Sequence, residues 1–110
     1  MVVSPGYVYW VQFTDAPQQT HIPHPHVVIG VDDATVTLCA LTTNRRKLSV
    51  PGNLLLDAGE AGLPKQSVVE VSKQVTIPYT LLGSYIGALS DARLKQIRTQ
   101  IAFVSRSFRR

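Results

Sequence analysis

The chain alternates short runs of β-branched and aromatic residues with turns built on proline or glycine; only near its C-terminal end does an apolar period of three and four residues take over. This pattern restricts the fold to many short strands and one helix. Tyr7-Val8-Tyr9-Trp10-Val11-Gln12-Phe13, entered from Pro5-Gly6, reads as the first strand. Pro17, Pro23 and Pro25 withhold backbone donors from the stretch Thr14 to Pro25, which predicts an exposed loop of the kind that often carries function. His26 to Val31 reads as a buried strand, Asp32-Asp33 as a turn and Thr35 to Leu41 as the partner strand of a hairpin. Leu48 to Val50 and Leu54 to Leu56 bracket Pro51-Gly52-Asn53 and predict another hairpin. After a loop from Ala58 to Pro64, a strand begins at Ser67 and runs to Ile77, where Pro78 stops it. Gly83 and Gly87 argue against a long helix between Pro78 and Gly87, leaving at most a helical turn around Leu81 and Leu82.

The helix is the clearest element. Ser90 can cap it, Asp91 falls in its first turn, and Leu94, Ile97, Ile101 and Val104 form its apolar stripe. Arg93, Lys95, Arg98 and Gln100 lie off that stripe, so the helix should rest on a sheet with its charged side in solvent. Five or six short strands and one C-terminal helix predict a mainly β fold, a small curved sheet or partial barrel that protects edges a flat sheet would expose. At 110 residues the chain makes a single domain, 1–110, able to bury roughly two-thirds of its unfolded surface.

Charge narrows the partners. Net charge is +4, and six of the eleven Lys and Arg residues (Arg93, Lys95, Arg98, Arg106, Arg109 and Arg110) crowd the last eighteen positions. Cations are expected at a helix C-terminus, so the mid-chain cluster Arg45-Arg46-Lys47 is the better candidate for a polyanion. Cys39, the only cysteine, permits no internal disulfide and reads as a buried, inert thiol compatible with a reducing compartment. The N-terminus lacks the features of a signal peptide, and no segment reaches the ~18 apolar residues needed to span a bilayer. These observations predict a soluble, cytoplasmic chain without a membrane partner.

Five segments, in order, resemble the PemK/MazF family of toxins from type II toxin–antitoxin systems. Gly6-Tyr7-Val8-Tyr9-Trp10 is similar to the family's opening Gly-Asp-Val-Tyr-Trp/Phe strand. His24-Pro25-His26-Val27-Val28-Ile29 is similar to Arg-Pro-x-Val-Val-Ile, and Leu41-Thr42-Thr43-Asn44 to a strand ending in Leu-Thr-Thr/Ser. Gly62-Leu63-Pro64-Lys65-Gln66-Ser67-Val68-Val69 resembles Gly-Leu-x-Lys/Arg-Asp-Ser-Val-Val. Ile86-Gly87-Ala88-Leu89-Ser90-Asp91 resembles the segment that opens the family's last helix. The resemblance implies a barrel related to SH3 folds, shared with the gyrase-inhibiting CcdB-like proteins.

It also implies cofactor-free, metal-independent cleavage of single-stranded RNA, by attack of a ribose 2′-hydroxyl on the adjacent phosphorus. That reaction needs a proton acceptor, a proton donor for the departing 5′-oxygen and stabilisation of charge on the phosphate. On the family's pattern, His24 and Thr42 take the catalytic positions, with Thr43, Asn44, Arg45, Arg46, Lys73 and Thr76 along the RNA path. His24 stands where relatives carry arginine; histidine titrates near neutrality but lacks arginine's permanent two-pronged charge. Val75 stands where many relatives carry a second arginine, no aspartate follows it, and Tyr7 replaces the opening aspartate. The resemblance further implies a homodimer and a cognate antitoxin with an acidic segment.

Three other readings compete. The lost arginines fit a degenerate module that binds RNA or protein without turnover. A gyrase inhibitor would need a dimer and a protein-binding C-terminal helix. His21, His24 and His26 fit a zinc site by residue type, but no cysteine or carboxylate accompanies them in sequence.

Overall fold

The computed structural model describes residues 2–12 and 23–108. Its strands are β1 (Tyr7–Val11), β2 (His24–Val31), β3 (Thr35–Thr42), β4 (Leu54–Leu56), β5 (Ser67–Pro78) and β6 (Leu82–Ala88), followed by the helix α1 (Asp91–Phe108). They form one antiparallel sheet in the order β4-β5-β3-β2-β1-β6. No described helix is long and apolar enough to cross a membrane.

Alternation along the strands builds a core on each face of the sheet. Val8, Val27, Cys39, Leu41, Val69 and Val71 pack with Ile97 of α1, and Ile101 and Val104 close over them. Tyr9, Val11, Val28, Val36, Leu38 and Ile77 form a second cluster on the other face. The predicted apolar stripe of α1 is therefore the face that docks on the sheet, and the Ser90 hydroxyl caps it by accepting from the Arg93 N–H at 3.2 Å. Burial pushes the Cys39 thiol up to about 12, so it is an inert core residue.

β2 begins at His24, two residues before the strand read from sequence, and Phe13 and His21 lie outside the described residues. Leu48 to Val50 do not form the expected hairpin strand. Asn44 instead caps a 3₁₀ turn at Arg45–Ser49, its Oδ1 accepting from the Arg46 N–H at 3.1 Å, and β4 pairs with β5. The Leu81 region does turn helically, over Tyr79–Leu81, but Leu82 to Ala88 then form an edge strand that the glycines concealed.

The two edges of the sheet are drawn together by the loop after β4. Its short 3₁₀ turn, Glu60–Gly62, packs backbone to backbone on β6: a Cβ at Gly62 would stand 2.9 Å from the Ile86 carbonyl oxygen, and one at Gly87 would overlap the Ala61 carbonyl. Ala61 is held at φ 53°, a left-handed conformation that costs a non-glycine residue about 1 kcal/mol or more. Contact with β6 and the ion pair of Glu60 described below hold it there. Gly87→Ala should lower stability by roughly 2–3 kcal/mol, because backbone rather than a flexible side chain obstructs the new methyl; urea unfolding of both chains measures the difference.

Candidate functional site

The pairing of β2 with β3 aligns His26 with Ala40 and Val27 with Cys39. Continuing that antiparallel register by two residues sets His24 directly against Thr42, with both side chains on the same face of the sheet. The two line one end of a cleft of about 540 Å³, together with Thr43, Lys65, Ser67 and Tyr85. Trp10, Pro25, Leu63 and Ile86 supply its apolar walls.

Backbone and capping bonds orient the polar members. The Thr42 Oγ1 accepts from the Asn44 N–H at 3.2 Å, which directs the hydroxyl while leaving it its own proton as a donor. The His26 Nδ1 lies 2.9 Å from the His24 carbonyl oxygen; a carbonyl only accepts, so Nδ1 carries the proton and ties down the entry of β2. Burial lowers the His26 pKa from its ordinary 6.5, an effect the bond to the His24 carbonyl opposes, so His26 is neutral at pH 7.

A row of polar side chains lies one step inward from His24 and Thr42. Tyr85, Tyr9, His26, Ala40 and Glu70 are successive cross-strand neighbours on β6, β1, β2, β3 and β5. His26 is 4 % and Glu70 6 % exposed, and the small Ala40 separates them. Tyr85 meets Tyr9 edge-on at 5.5 Å and Tyr7 edge-on at 5.3 Å. The Glu70 carboxylate thus lies one strand beyond Ala40 from His26, and among the described residues no cluster of histidine, cysteine or carboxylate side chains could hold a metal ion.

The expected site residues separate into three groups. His24, Thr42 and Thr43 come together in the cleft. Asn44, Arg45 and Arg46 follow on the exposed 3₁₀ turn, close in chain to Thr43 but outside the cleft lining. Lys73 and Thr76 lie elsewhere on β5. Lys73 sits in an irregularity between Glu70 and Gln74 with its Nζ 3.5 Å from Glu70, and Thr76 bonds the Thr37 hydroxyl at 2.9 Å. In their place the cleft holds Lys65 and Ser67, both inside the segment Gly62 to Val69 quoted for the resemblance, where their position was the available signal.

An ion pair braces the Lys65 side of the cleft. Arg93 grips Glu60 with two bonds, Nε to Oε1 at 2.9 Å and Nη2 to Oε2 at 2.8 Å, while the Glu60 carboxylate also accepts from the Asp57 N–H at 2.7 Å. Arg93 therefore faces the loop rather than open solvent, contrary to its place off the apolar stripe. It pins the 3₁₀ turn to the start of α1.

The fold and cleft define a small β-sheet protein that gathers one lysine, one histidine and several hydroxyls in a single cleft. The chain belongs to the PemK-like, MazF-like toxin family of type II toxin–antitoxin systems, whose model matches residues 4–105. It is 30% identical over 104 residues to Endoribonuclease MazF6 of Mycobacterium tuberculosis, covering 88% of this chain and 91% of the relative, and equally to Endoribonuclease MazF2 of Mycobacterium bovis. The same fold occurs in a mycobacterial endoribonuclease solved in complex with its cognate antitoxin, with a TM-score of 0.75, 20% identity and 99% coverage of each chain. Mycobacterium tuberculosis toxin MazF-mt6 superposes with a TM-score of 0.73 and 22% identity over 94% of this chain and 97% of that one.

The hydrogen bonds from Arg93 hold the Glu60 pKa below its ordinary 4.5. The stabilisation they provide is thus complete above that value and is lost as pH falls through the depressed folded pKa. Glu60→Gln should lower stability by about 1–2 kcal/mol at pH 7. The gap to the parent chain should close under acid conditions, as chemical denaturation across a pH series would reveal.

Proposed function

We propose that this chain is an endoribonuclease toxin that cleaves single-stranded RNA without a metal ion, with the scissile phosphate held between His24 and Thr42. The observation that supports the reading is that His24, Thr42 and Lys65 line one cleft, within a chain of this toxin family.

The chemistry follows from the groups available. The ribose 2′-oxygen attacks phosphorus, and its proton passes to a base; the P–O5′ bond breaks, and the departing oxygen takes a proton. One product carries a 2′,3′-cyclic phosphate and the other a 5′-hydroxyl. His24 is the proton-transfer group, because an imidazole nitrogen can accept a proton and return it. The Thr42 hydroxyl donates to a non-bridging phosphate oxygen, and the Lys65 ammonium supplies the fixed positive charge that a histidine at position 24 lacks. Arg45 and Arg46, exposed on the adjoining turn, extend the basic surface along the strand of RNA.

The antitoxin present in one structural relative supports a cognate antitoxin as partner, and a basic cleft suits an acidic segment of such a protein. The homodimer implied by the family resemblance completes the proposal.

Purified chain incubated with a long single-stranded RNA in EDTA should produce discrete fragments with 5′-hydroxyl ends. His24→Ala and Thr42→Ala should each slow cleavage by roughly 10²–10⁴-fold. Lys65→Ala should slow it less, and Lys65→Arg should restore most of the rate. Recovery of intact RNA over a broad pH range and several RNA sequences would sink the nuclease reading and leave a binding module.

A further inference from the structure

His24 stands at the entry of β2, where the sheet holds the strand unevenly. Among the described residues, β1 pairs with β2 as far as His24, opposite Val11, whereas pairing with β3 begins at His26, opposite Ala40. The residue between the two histidines, Pro25, has no backbone N–H to give to either neighbour. His24 is exposed, so its imidazole takes its direction from this backbone rather than from packing.

The side chain of His26 spans the weak point. Its Nδ1–H donates to the His24 carbonyl oxygen at 2.9 Å, a bond that reaches back over the proline. The anchor is itself immobile, because His26 is buried in the cross-strand row between Tyr9 and Ala40. Burying an imidazole costs more than burying an aliphatic side chain, and the lowering of its pKa by desolvation expresses that cost. Packing alone therefore gives no reason for a histidine here; the donor does.

We propose that His26 is a positioning residue for RNA cleavage, fixing through the His24 carbonyl the backbone from which the His24 imidazole reaches the phosphate. This rests on the nuclease reading above. His26 is not among the residues that line the cleft, so it acts through His24. Its bond touches neither Thr42 nor Lys65, and losing it should fall on turnover rather than on substrate binding, since a displacement of about 1 Å at a reacting group can cost up to about 10²-fold.

Two amide variants separate the donor from the packing. His26→Asn can place a side-chain N–H where the imidazole Nδ1 sits and keep the bond; His26→Gln carries its amide nitrogen out towards the position of Nε2 and loses it. Cleavage of a single-stranded RNA in EDTA is measured for the parent and both variants, per folded chain as judged by near-ultraviolet circular dichroism. His26→Asn should hold kcat within about threefold of the parent and His26→Gln should lower it roughly tenfold or more, with KM moving by less than about twofold in both. Equal kcat in the two variants, a glutamine variant faster than the asparagine one, a loss carried mainly by KM, or an asparagine variant that fails to fold would overturn the positioning role, while cleavage by the parent leaves the nuclease reading standing. A parent chain that leaves the RNA intact would overturn both.

Discussion

The register between β2 and β3 fixes what each face of this protein can be. Side chains alternate along a strand, so a slip of one residue would move Val27 and Cys39 out of the helix-side core and turn His24 and Thr42 to the wrong face. The hydrophobic residues therefore enforce the register that the polar ones use. Val27 and Cys39 are both fully buried beneath α1, and the energy that excludes them from water also holds His24 opposite Thr42, without requiring the polar pair to stabilise anything. The irregularity between Val28 and Gly30 falls on the far side of this pairing from His24, so the end of β2 that enters the cleft runs in regular register.

The second wall of the cleft is made differently. Gly62, Leu63, Pro64 and Lys65 belong to a loop, which has no ladder to fix it, and the molecule supplies other constraints. Close backbone packing on Ile86 and Gly87 sets the loop's distance from β6, and the paired bonds of Arg93 to Glu60 set its angle to α1. An arginine fork on a carboxylate defines orientation as well as separation, which a lysine in the same place would not. The left-handed Ala61 is tolerated because these constraints act on both of its neighbours.

The architecture was legible in the sequence wherever an element's pattern came from its own residues. The runs that became β1, β2, β3 and β5 were rich in β-branched and aromatic residues, and the spacing from Leu94 to Val104 described the docking face of α1. Elements whose reason lies elsewhere in the chain were not legible. β6 carries Gly83 and Gly87, which lower strand propensity, and Gly87 is required by a carbonyl 26 positions earlier. Leu48 to Val50 looked like a strand because they are apolar, whereas the Asn44 cap commits that segment to a turn. Within the site, the opposition of His24 and Thr42 followed from family motifs whose spacing survives here. The carboxylate of Glu70 near His26 did not, because it is created by two sheet pairings that no local pattern announces.

These two modes of construction bear on the exchange of arginine for histidine at position 24. A guanidinium on β2 would combine permanent charge and phosphate geometry in one side chain. An imidazole on the same strand retains the rigid placement and gains proton transfer, but gives up constant charge. On the proposed mechanism Lys65 restores the charge from the loop side of the cleft, and a flexible ammonium there is effective only as far as its loop is held in place. The Glu60–Arg93 brace, whose members lie 36 and 69 positions after His24 in the chain, thereby becomes part of the electrostatics of the proposed reaction. On the proposed mechanism the strand positions the proton-transfer group and the braced loop positions the charge.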